Sequence, residues 1–275
     1  MPSPLRLWSR PYAQPAVSFE IRSTDGVTLR GHRVGRGEVA MVFCHGFLGW
    51  HRKARLVLFQ EELARTFTVY AFDFRGHGES EGVSTFGGNE MLDVDAAVRR
   101  ARADGFDRVI TFGASMGGIA VLRHAALVGG VDAVVAVSTP ATWSGHDSEA
   151  IRRAVWLTST PSGRWLLRSS GVRVARTWGG FESPLEVIDR ISPAPLLLVH
   201  GRDDHFFDEE QAWALYRRAG EPKRLLLASR FGHAEDGFTS AFAEQISAAS
   251  LDSLPAPAPG SVGATFAIAR AASPA

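Results

Sequence analysis

Short runs of β-branched and other apolar residues alternate with longer amphipathic segments along most of this chain, and this alternation constrains the fold more than any other feature. Strands that alternate with helices build a mostly parallel sheet with helices on both faces. Asp25-Gly26 separates the first two runs and is typical of a hairpin turn. The predicted strands are 17–22, 27–33, 39–44, 67–72, 108–112, 133–138, 195–199 and 224–228. The predicted helices are 53–65, 89–104, 115–128, 208–219 and 235–250.

The alternation is interrupted between the strand that ends near Ser138 and the strand at 195–199. A connection of this length usually contains structure of its own, so we predict a lid or an inserted subdomain there, which we call the cap. From Leu254 onward the chain is rich in Pro, Ala, Gly and Ser, which predicts a flexible tail. The predicted parts are an α/β core at 1–139 and 191–253, a cap at 140–190 and a tail at 254–275.

Composition excludes several classes of protein. The chain has 275 residues, of which 45% are hydrophobic and 21% charged, and its formal net charge is +1. It is too apolar to be intrinsically disordered, and it lacks the net basic charge that drives nonspecific binding to nucleic acid. It has neither an apolar run of about 18 residues, which a stable membrane span needs, nor the apolar core of a signal peptide. Cys44 is the only cysteine, so no intrachain disulfide can form, and we expect a cytoplasmic protein.

The strongest chemical motif is Gly113-Ala114-Ser115-Met116-Gly117, which fits the pattern G-x-S-x-G. A predicted strand precedes the motif and a predicted helix follows it. The small residues allow neighbouring backbone to approach a sharp turn, and the serine hydroxyl then projects at the N-terminus of the helix. Amide dipoles stabilise a developing negative charge there. This context predicts that Ser115 is a nucleophile.

A serine nucleophile needs a base, and the base needs a carboxylate that orients it. His233 follows the last predicted strand and is the best candidate for the base. The carboxylate should follow the strand at 195–199, where Asp203 and Asp204 are adjacent. Either aspartate could serve, and we favour Asp204.

Two backbone N–H groups are needed to stabilise the oxyanion that forms when the serine attacks. The N–H of Met116, directly after the nucleophile, is the first. The second would be the N–H of Phe47, in a loop that follows the strand at 39–44. His45 begins this loop and is a candidate either for packing beneath the site or for contact with the substrate.

These motifs together resemble the ordered motifs of the α/β-hydrolase superfamily. The resemblance rests on His45-Gly46-Phe47, Asp73–Ser80, Gly113–Gly118, Gly201–Asp204 and Gly232-His233. It implies the α/β-hydrolase fold, with an eight-stranded, mostly parallel sheet, helices on both faces and a helical cap after the sixth strand. It also implies a Ser-His-Asp triad and an architectural role for the turn Asp73–Ser80. Many relatives have a proline four residues after the acid, whereas this chain has Asp208.

The predicted activity is that of a serine hydrolase that cleaves a carboxylic ester or a related acyl substrate through an acyl-enzyme intermediate. A thioesterase, an amidase or a C–C bond hydrolase would use the same triad, and a non-catalytic ligand-binding member of the fold is a further alternative. We expect no cofactor. We also expect no metal, because the acidic and histidine side chains at 200–205 lie too close along the chain to converge on one ion.

The predicted cap and the oxyanion loop carry many cations. The cap arginines are Arg152, Arg153, Arg164, Arg168, Arg173 and Arg176, and Arg52, Lys53 and Arg55 follow the oxyanion loop. At the mouth of the site these groups would attract an anionic acyl substrate, whereas on a solvated helix face they would not. A further alternative is that the basic cap binds a lipid surface, in which case salt would weaken the binding. Trp143, Trp156 and Trp178 are candidates for an apolar roof over the pocket, and packing within the cap explains them equally well.

Overall fold

A single sheet forms the centre of the computed structural model, which describes residues 9–143, 148–177 and 179–254. Its strands are β1 (Ala16–Arg22), β2 (Thr28–Val34), β3 (Ala40–Cys44), β4 (Thr68–Phe72), β5 (Val109–Ala114), β6 (Ala133–Val137), β7 (Leu196–Gly201) and β8 (Lys223–Ala228). Their order across the sheet is β1-β2-β4-β3-β5-β6-β7-β8. β2 is antiparallel to both of its neighbours, and all the other neighbours are parallel. The eight-stranded, mostly parallel sheet predicted from the sequence is therefore confirmed.

The described helices include one at each of the five predicted positions, and the start of the last one differs from the prediction. They are α1 (Ala54–Leu63), α2 (Glu90–Ala103), α3 (Met116–Leu127), α4 (Glu149–Ser159), α5 (Pro161–Ser169), α6 (Pro184–Val187), α7 (Glu209–Arg218) and α8 (Ser240–Ser253), with short 3-10 turns at Ile188–Ile191 and Ala234–Gly237. The prediction that the last helix begins at 235 was wrong. Thr239 accepts a hydrogen bond from the Phe242 N–H at 3.2 Å and caps α8 at its true start, while the residues before it form a 3-10 turn.

Side chains of the central strands alternate between the two faces of the sheet. In β3, Val42 and Cys44 belong to the core cluster on one face, and Met41 and Phe43 belong to the cluster on the other face. Helices α2, α3 and α7 supply the first cluster, and α1 and α8 supply the second. Because both faces are covered, the crevice at the carboxyl ends of the parallel strands is where a fold of this kind places its chemistry.

The helices after the sixth strand belong to the predicted fold class and are confirmed: α4 and α5 pack against each other, and α6 follows before β7. The Thr160 hydroxyl caps α5 by accepting a hydrogen bond from the Gly163 N–H at 3.1 Å. Gly163 allows close packing, since a Cβ there would lie 2.5 Å from the Trp156 carbonyl oxygen. The boundaries of core, cap and tail stay a prediction, and residues 255–275 of the predicted tail lie outside the described residues.

In the ranges given above, each helix is too short or too polar to cross a membrane.

Candidate active site

Ser115 occupies the turn between β5 and α3. Its backbone has φ 53° and ψ −115°, a conformation that is strained for a residue with a side chain. The turn also lies close to β3, since a Cβ at Gly117 would be 2.3 Å from the Cys44 carbonyl oxygen. The strand, the turn and the glycine therefore hold the Ser115 hydroxyl at the N-terminus of α3, as the motif predicted.

The structure brings Ser115, His233 and Asp204 into one hydrogen-bonded chain. The Nε2 atom of His233 is 2.9 Å from the Oγ atom of Ser115, and its Nδ1 atom is 2.8 Å from the Oδ2 atom of Asp204. Because the carboxylate accepts a hydrogen bond from Nδ1, Nε2 is left to accept one from the serine hydroxyl. Asp203, the other candidate acid, is exposed, and the backbone around it turns its neighbour toward His233.

The Asp204 carboxylate is held by two further donors. Its Oδ1 atom accepts hydrogen bonds from the backbone N–H groups of Phe206 at 2.8 Å and Phe207 at 3.1 Å. Burial acts to raise the pKa of this carboxyl, but the hydrogen bond and the charge of His233, followed by the two N–H groups, outweigh it and hold the pKa below its usual range. Asp204 is therefore ionised near neutral pH and able to stabilise an imidazolium. The two phenylalanine donors were missed by the sequence reasoning.

Aromatic rings and a buried serine fix the position of His233. The ring centroids of Phe206 and His233 are 4.3 Å apart, and those of Phe207 and His233 are 5.6 Å apart. The next residue, Ala234, donates its backbone N–H to the hydroxyl oxygen of Ser138 at 3.0 Å. Ser138 was not predicted as a site residue, although its place directly after a parallel strand beside the nucleophile was a signal for it.

The loop after β3 lies against Ser115. A Cβ at Gly46 would be 3.5 Å from the Cβ of Ser115, so the next residue, Phe47, is within reach of the same site. The carbonyl oxygen of Phe47 accepts a hydrogen bond from the Nε2 atom of His77, which fixes the orientation of that peptide. Among the hydrogen bonds of the described ranges, neither the Phe47 nor the Met116 N–H has an acceptor. Both groups are available to a ligand oxygen.

His45 lies beneath the site instead of at its surface, which favours packing over substrate contact among the two roles considered from the sequence. The side chain is almost fully buried. Its Nδ1–H donates to the Gly46 carbonyl at 2.7 Å, and its Nε2 accepts from the Phe74 N–H at 3.1 Å. Burial first, and then the nearby His77, lower the pKa of His45 to about 3. A buried, neutral imidazole with both nitrogens in use supports the loop and has no atom left for a ligand.

Asp73 fixes the same loop from the other side. Its Oδ1 atom accepts hydrogen bonds from both the backbone N–H and the Nδ1 atom of His51 at 2.7 Å, and its Oδ2 atom accepts from the Glu79 N–H at 2.9 Å. His51 in turn bonds through Nε2 to the Nδ1 atom of His32 at 2.8 Å. Burial acts to raise the pKa of Asp73, but the charge and hydrogen bond of His51 lower it to about 2. These contacts agree with the architectural role that the resemblance implies for this turn.

Two of the three cations after the oxyanion loop, Lys53 and Arg55, are paired with acidic side chains close to His233 in sequence. Lys53 lies 2.5 Å from a carboxylate oxygen of Glu235, and Arg55 lies 3.4 Å from one of Asp236. These contacts lower the net positive charge of this part of the rim. The sequence reasoning missed them because the partners are about 180 residues apart along the chain.

Two cap arginines bind backbone carbonyl groups. Arg164 donates to the carbonyl oxygens of Thr158, Val174 and Ala175 at 2.7–3.0 Å. Arg173 donates to those of Gly82 and Ser80 in the segment after β4. These arginines therefore hold the cap together and attach it to the core.

The structure does not join the predicted cap tryptophans to the catalytic chain. The Nε1–H of Trp143 donates to the Phe181 carbonyl at 2.8 Å, and Trp156 is 48% exposed on α4. No hydrogen bond or ring contact within the described ranges links either of them to Ser115 or His233. Trp178 lies outside the described residues, so the predicted tryptophan roof stays a prediction.

Comparisons with known proteins agree with this architecture. The model of the alpha/beta hydrolase family matches residues 41–265. The uncharacterized protein YfhR of Escherichia coli O157:H7 is 31% identical over 227 residues, which cover 77% of this chain and 71% of YfhR. The mouse serine hydrolase BPHL is 33% identical over 124 residues, which cover 42% of this chain and 43% of BPHL. The solved structure of the esterase Pf2001 of Pyrococcus furiosus matches this chain with a TM-score of 0.70 at 22% sequence identity, and the match covers 88% of this chain and 94% of the Pf2001 chain. At this identity the likeness shows the fold alone.

Proposed function

This chain belongs to the alpha/beta hydrolase family, and from that premise we propose that it is a serine hydrolase that cleaves a carboxylic ester or a related acyl compound. The observation that carries the proposal is the unbroken chain of hydrogen bonds from Ser115 through His233 to Asp204, at 2.9 and 2.8 Å. The likeness to mouse serine hydrolase BPHL and the fold shared with the esterase Pf2001 are further support.

In the proposed acylation step, Nε2 of His233 takes the proton of the Ser115 hydroxyl as the oxygen attacks the acyl carbon. The carbonyl electron pair moves onto its oxygen, which receives hydrogen bonds from the N–H groups of Phe47 and Met116. The tetrahedral intermediate then collapses, and His233 gives its proton to the departing alcohol. Asp204, ionised and bonded to Nδ1, stabilises the imidazolium throughout.

In the proposed deacylation step, His233 removes a proton from water, and the resulting hydroxide attacks the acyl-enzyme. The intermediate collapses, the proton returns to the Ser115 oxygen, and the carboxylic acid leaves. Water is the only co-reactant, so the step needs no cofactor.

A fluorophosphonate probe tests the nucleophile directly. We expect it to label the wild type and not Ser115→Ala, with the labelled peptide containing residue 115. Ser162→Ala is the matched control, because this serine is exposed on α5, and it should be labelled like the wild type. Labelling that survives in Ser115→Ala would contradict the assignment.

A substrate panel with one common acyl group tests the bond that is cleaved. We expect the ester to be hydrolysed with a higher kcat/KM than the matched thioester, anilide and β-diketone. A higher kcat/KM for one of the other three would identify a thioesterase, an amidase or a C–C bond hydrolase on the same triad. A second pair, a neutral acyl ester and one that ends in a carboxylate, tests the preference for an anionic substrate that the arginine-rich sequence predicts.

A further inference from the structure

The two cap helices α4 and α5 carry a cluster of exposed large apolar side chains. Val155 is 53% exposed, Trp156 48%, Trp165 71% and Leu166 45%. We call these four residues the α4–α5 face. Large apolar residues that cluster at a surface, as these do within twelve positions of the chain, mark an interaction site more reliably than isolated ones.

The arrangement of the face follows from helical spacing. On α4, Arg152, Val155 and Trp156 lie at positions i, i+3 and i+4, and the exposed Ser162, Trp165 and Leu166 repeat this spacing on α5. Each helix therefore presents one tryptophan beside one aliphatic residue on its outward side.

Buried side chains and hydrogen bonds fix the inner side of the helix pair. Leu167 and Thr158 are buried on that inner side. Arg164 bridges the two helices, since it donates hydrogen bonds to the Thr158 carbonyl and to the Val174 and Ala175 carbonyls at 2.7–3.0 Å. The outward residues cannot reach the core without breaking these contacts.

The chain segment that carries the face has an excess of positive charge. Residues 148–177 contain six arginines and one acidic residue, Glu149, which pairs with Arg153. Arg168 on α5 and Arg176 after it are exposed. Tryptophan, aliphatic and arginine side chains on one amphipathic surface are the combination that binds the interface of a bilayer with anionic headgroups.

We propose that the α4–α5 face docks this protein reversibly on the surface of an anionic lipid bilayer. Arginines would contact lipid phosphates while the tryptophans and aliphatic side chains enter the headgroup region. A second copy of the chain fits this face less well, because two such segments would bring like charges together. The inference does not depend on the proposed catalytic function.

Co-sedimentation of the full chain with vesicles tests the proposal. We expect binding to vesicles of phosphatidylcholine with about one third phosphatidylglycerol, and weak binding to vesicles of pure phosphatidylcholine. Binding should be lost in high salt, because the Debye length is about 10 Å at 0.1 M ionic strength and becomes shorter at higher concentrations. Trp165→Ser/Leu166→Ser and Arg168→Gln/Arg176→Gln should each weaken binding about tenfold. Trp213→Ser is the matched control, since this tryptophan is 38% exposed on α7, and it should bind like the wild type.

A fluorescent label locates the contact. The native Cys44 is fully buried, so a thiol-reactive, polarity-sensitive dye attaches selectively to an introduced cysteine in the folded protein. We expect the emission of the dye at Ser162→Cys to shift to the blue with anionic vesicles, and that of the dye at the exposed Ser18→Cys on β1 to stay unchanged.

Three outcomes would overturn the proposal. The first is that the wild type fails to sediment with anionic vesicles. The second is that Trp165→Ser/Leu166→Ser binds them as well as the wild type while its circular dichroism spectrum and Tm also match the wild type. The third is that the dye at position 18 shifts to the blue and the dye at position 162 does not. Self-association of the chain that the same double variant abolishes, without lipid binding, would assign the face to a second copy instead. Catalysis is measured separately on a water-soluble ester, so either proposal can fail without the other.

Discussion

The hydroxyl oxygen of Ser138 accepts a hydrogen bond from the backbone N–H of Ala234 at 3.0 Å, and this contact ties the end of β6 to the turn that carries His233. Ser138 is fully buried and its φ is 49°, so a constrained strand end supports the proposed base. Ser138 is thus placed as a positioning residue: it bonds the turn beside His233, and no hydrogen bond of the described ranges joins it to the side chains of Ser115, His233 or Asp204.

Ser138→Ala should weaken catalysis through the position of His233. The variant leaves the buried Ala234 N–H without its partner, which costs about 1–3 kcal/mol of unfolding free energy. Misplacement of the base should lower kcat by about 10- to 100-fold while KM changes little. Steady-state kinetics on the best ester of the panel, together with urea unfolding, measure both effects.

The control for this variant is Ser250→Ala on α8. Ser250 is also buried, but its hydroxyl has no hydrogen-bond partner among the described residues. Its removal should leave kcat unchanged. If both alanine variants lose the same activity, the Ser138 contact has no special role.

The two adjacent aspartates should differ sharply in their effect on turnover. Asp204→Asn removes the charge that stabilises the imidazolium and disturbs the tautomer of His233, so kcat should fall about 10⁴-fold. Asp203→Asn alters an exposed side chain and should keep nearly full activity. Equal circular dichroism spectra would show that both variants are folded. The reverse pattern of activities would make Asp203 the acid.

The buried carboxylate of Asp73 should make stability depend on acid pH. Its pKa falls from 3.8 to about 2 in the folded protein, so the ionised form adds stability above about pH 4, and this is lost as the pH falls toward 2. The shift corresponds to about 2 kcal/mol. The gap in unfolding free energy between wild type and Asp73→Asn should therefore be largest near neutral pH and narrow in acid. Urea titrations at a series of pH values measure it, and a gap that does not change with pH would refute the prediction.

Gly117→Ala should destabilise the turn at the nucleophile. The added Cβ would lie 2.3 Å from the Cys44 carbonyl oxygen and 2.7 Å from that of His45, both of which are backbone atoms in a packed core. Overpacking of this kind costs about 1–3 kcal/mol. Gly46→Ala is the control for stability, because its Cβ would meet neighbours at the ordinary distance of 3.5 Å. Equal unfolding free energies for the two variants would mean that close packing at Gly117 is not required.

The local patterns of the chain were sufficient to predict the sheet and the positions of Ser115 and His233. A short continuous run of apolar residues indicates a parallel strand that is buried on both faces, and such a run can be recognised from neighbouring residues alone. A glycine-flanked serine between a strand and a helix is local as well. The start of α8 was mispredicted because the capping signal at Thr239 was overlooked, although it is also local.

Contacts between distant segments could not be predicted in the same way. Asp203 and Asp204 are adjacent residues of the same type, so the sequence does not distinguish them. The backbone path after β7 directs the side chain of Asp204 toward His233. The sequence alone predicts an unpaired positive rim from the cations after the oxyanion loop, whereas in the structure Lys53 lies beside Glu235. The burial of His45 depends on Phe74, which belongs to a different strand end.

The hydrogen bond between His233 and Ser115 joins positions that are 118 residues apart, and this separation has a consequence for how the molecule acquires activity. We expect such a contact to form after the segments between the two residues have folded, because closing the loop between distant positions costs conformational entropy. A growing chain on the ribosome cannot hydrolyse a substrate by this mechanism before residue 233 has emerged. In refolding experiments, the return of the proposed hydrolysis should therefore report when Ser115 and His233 come together.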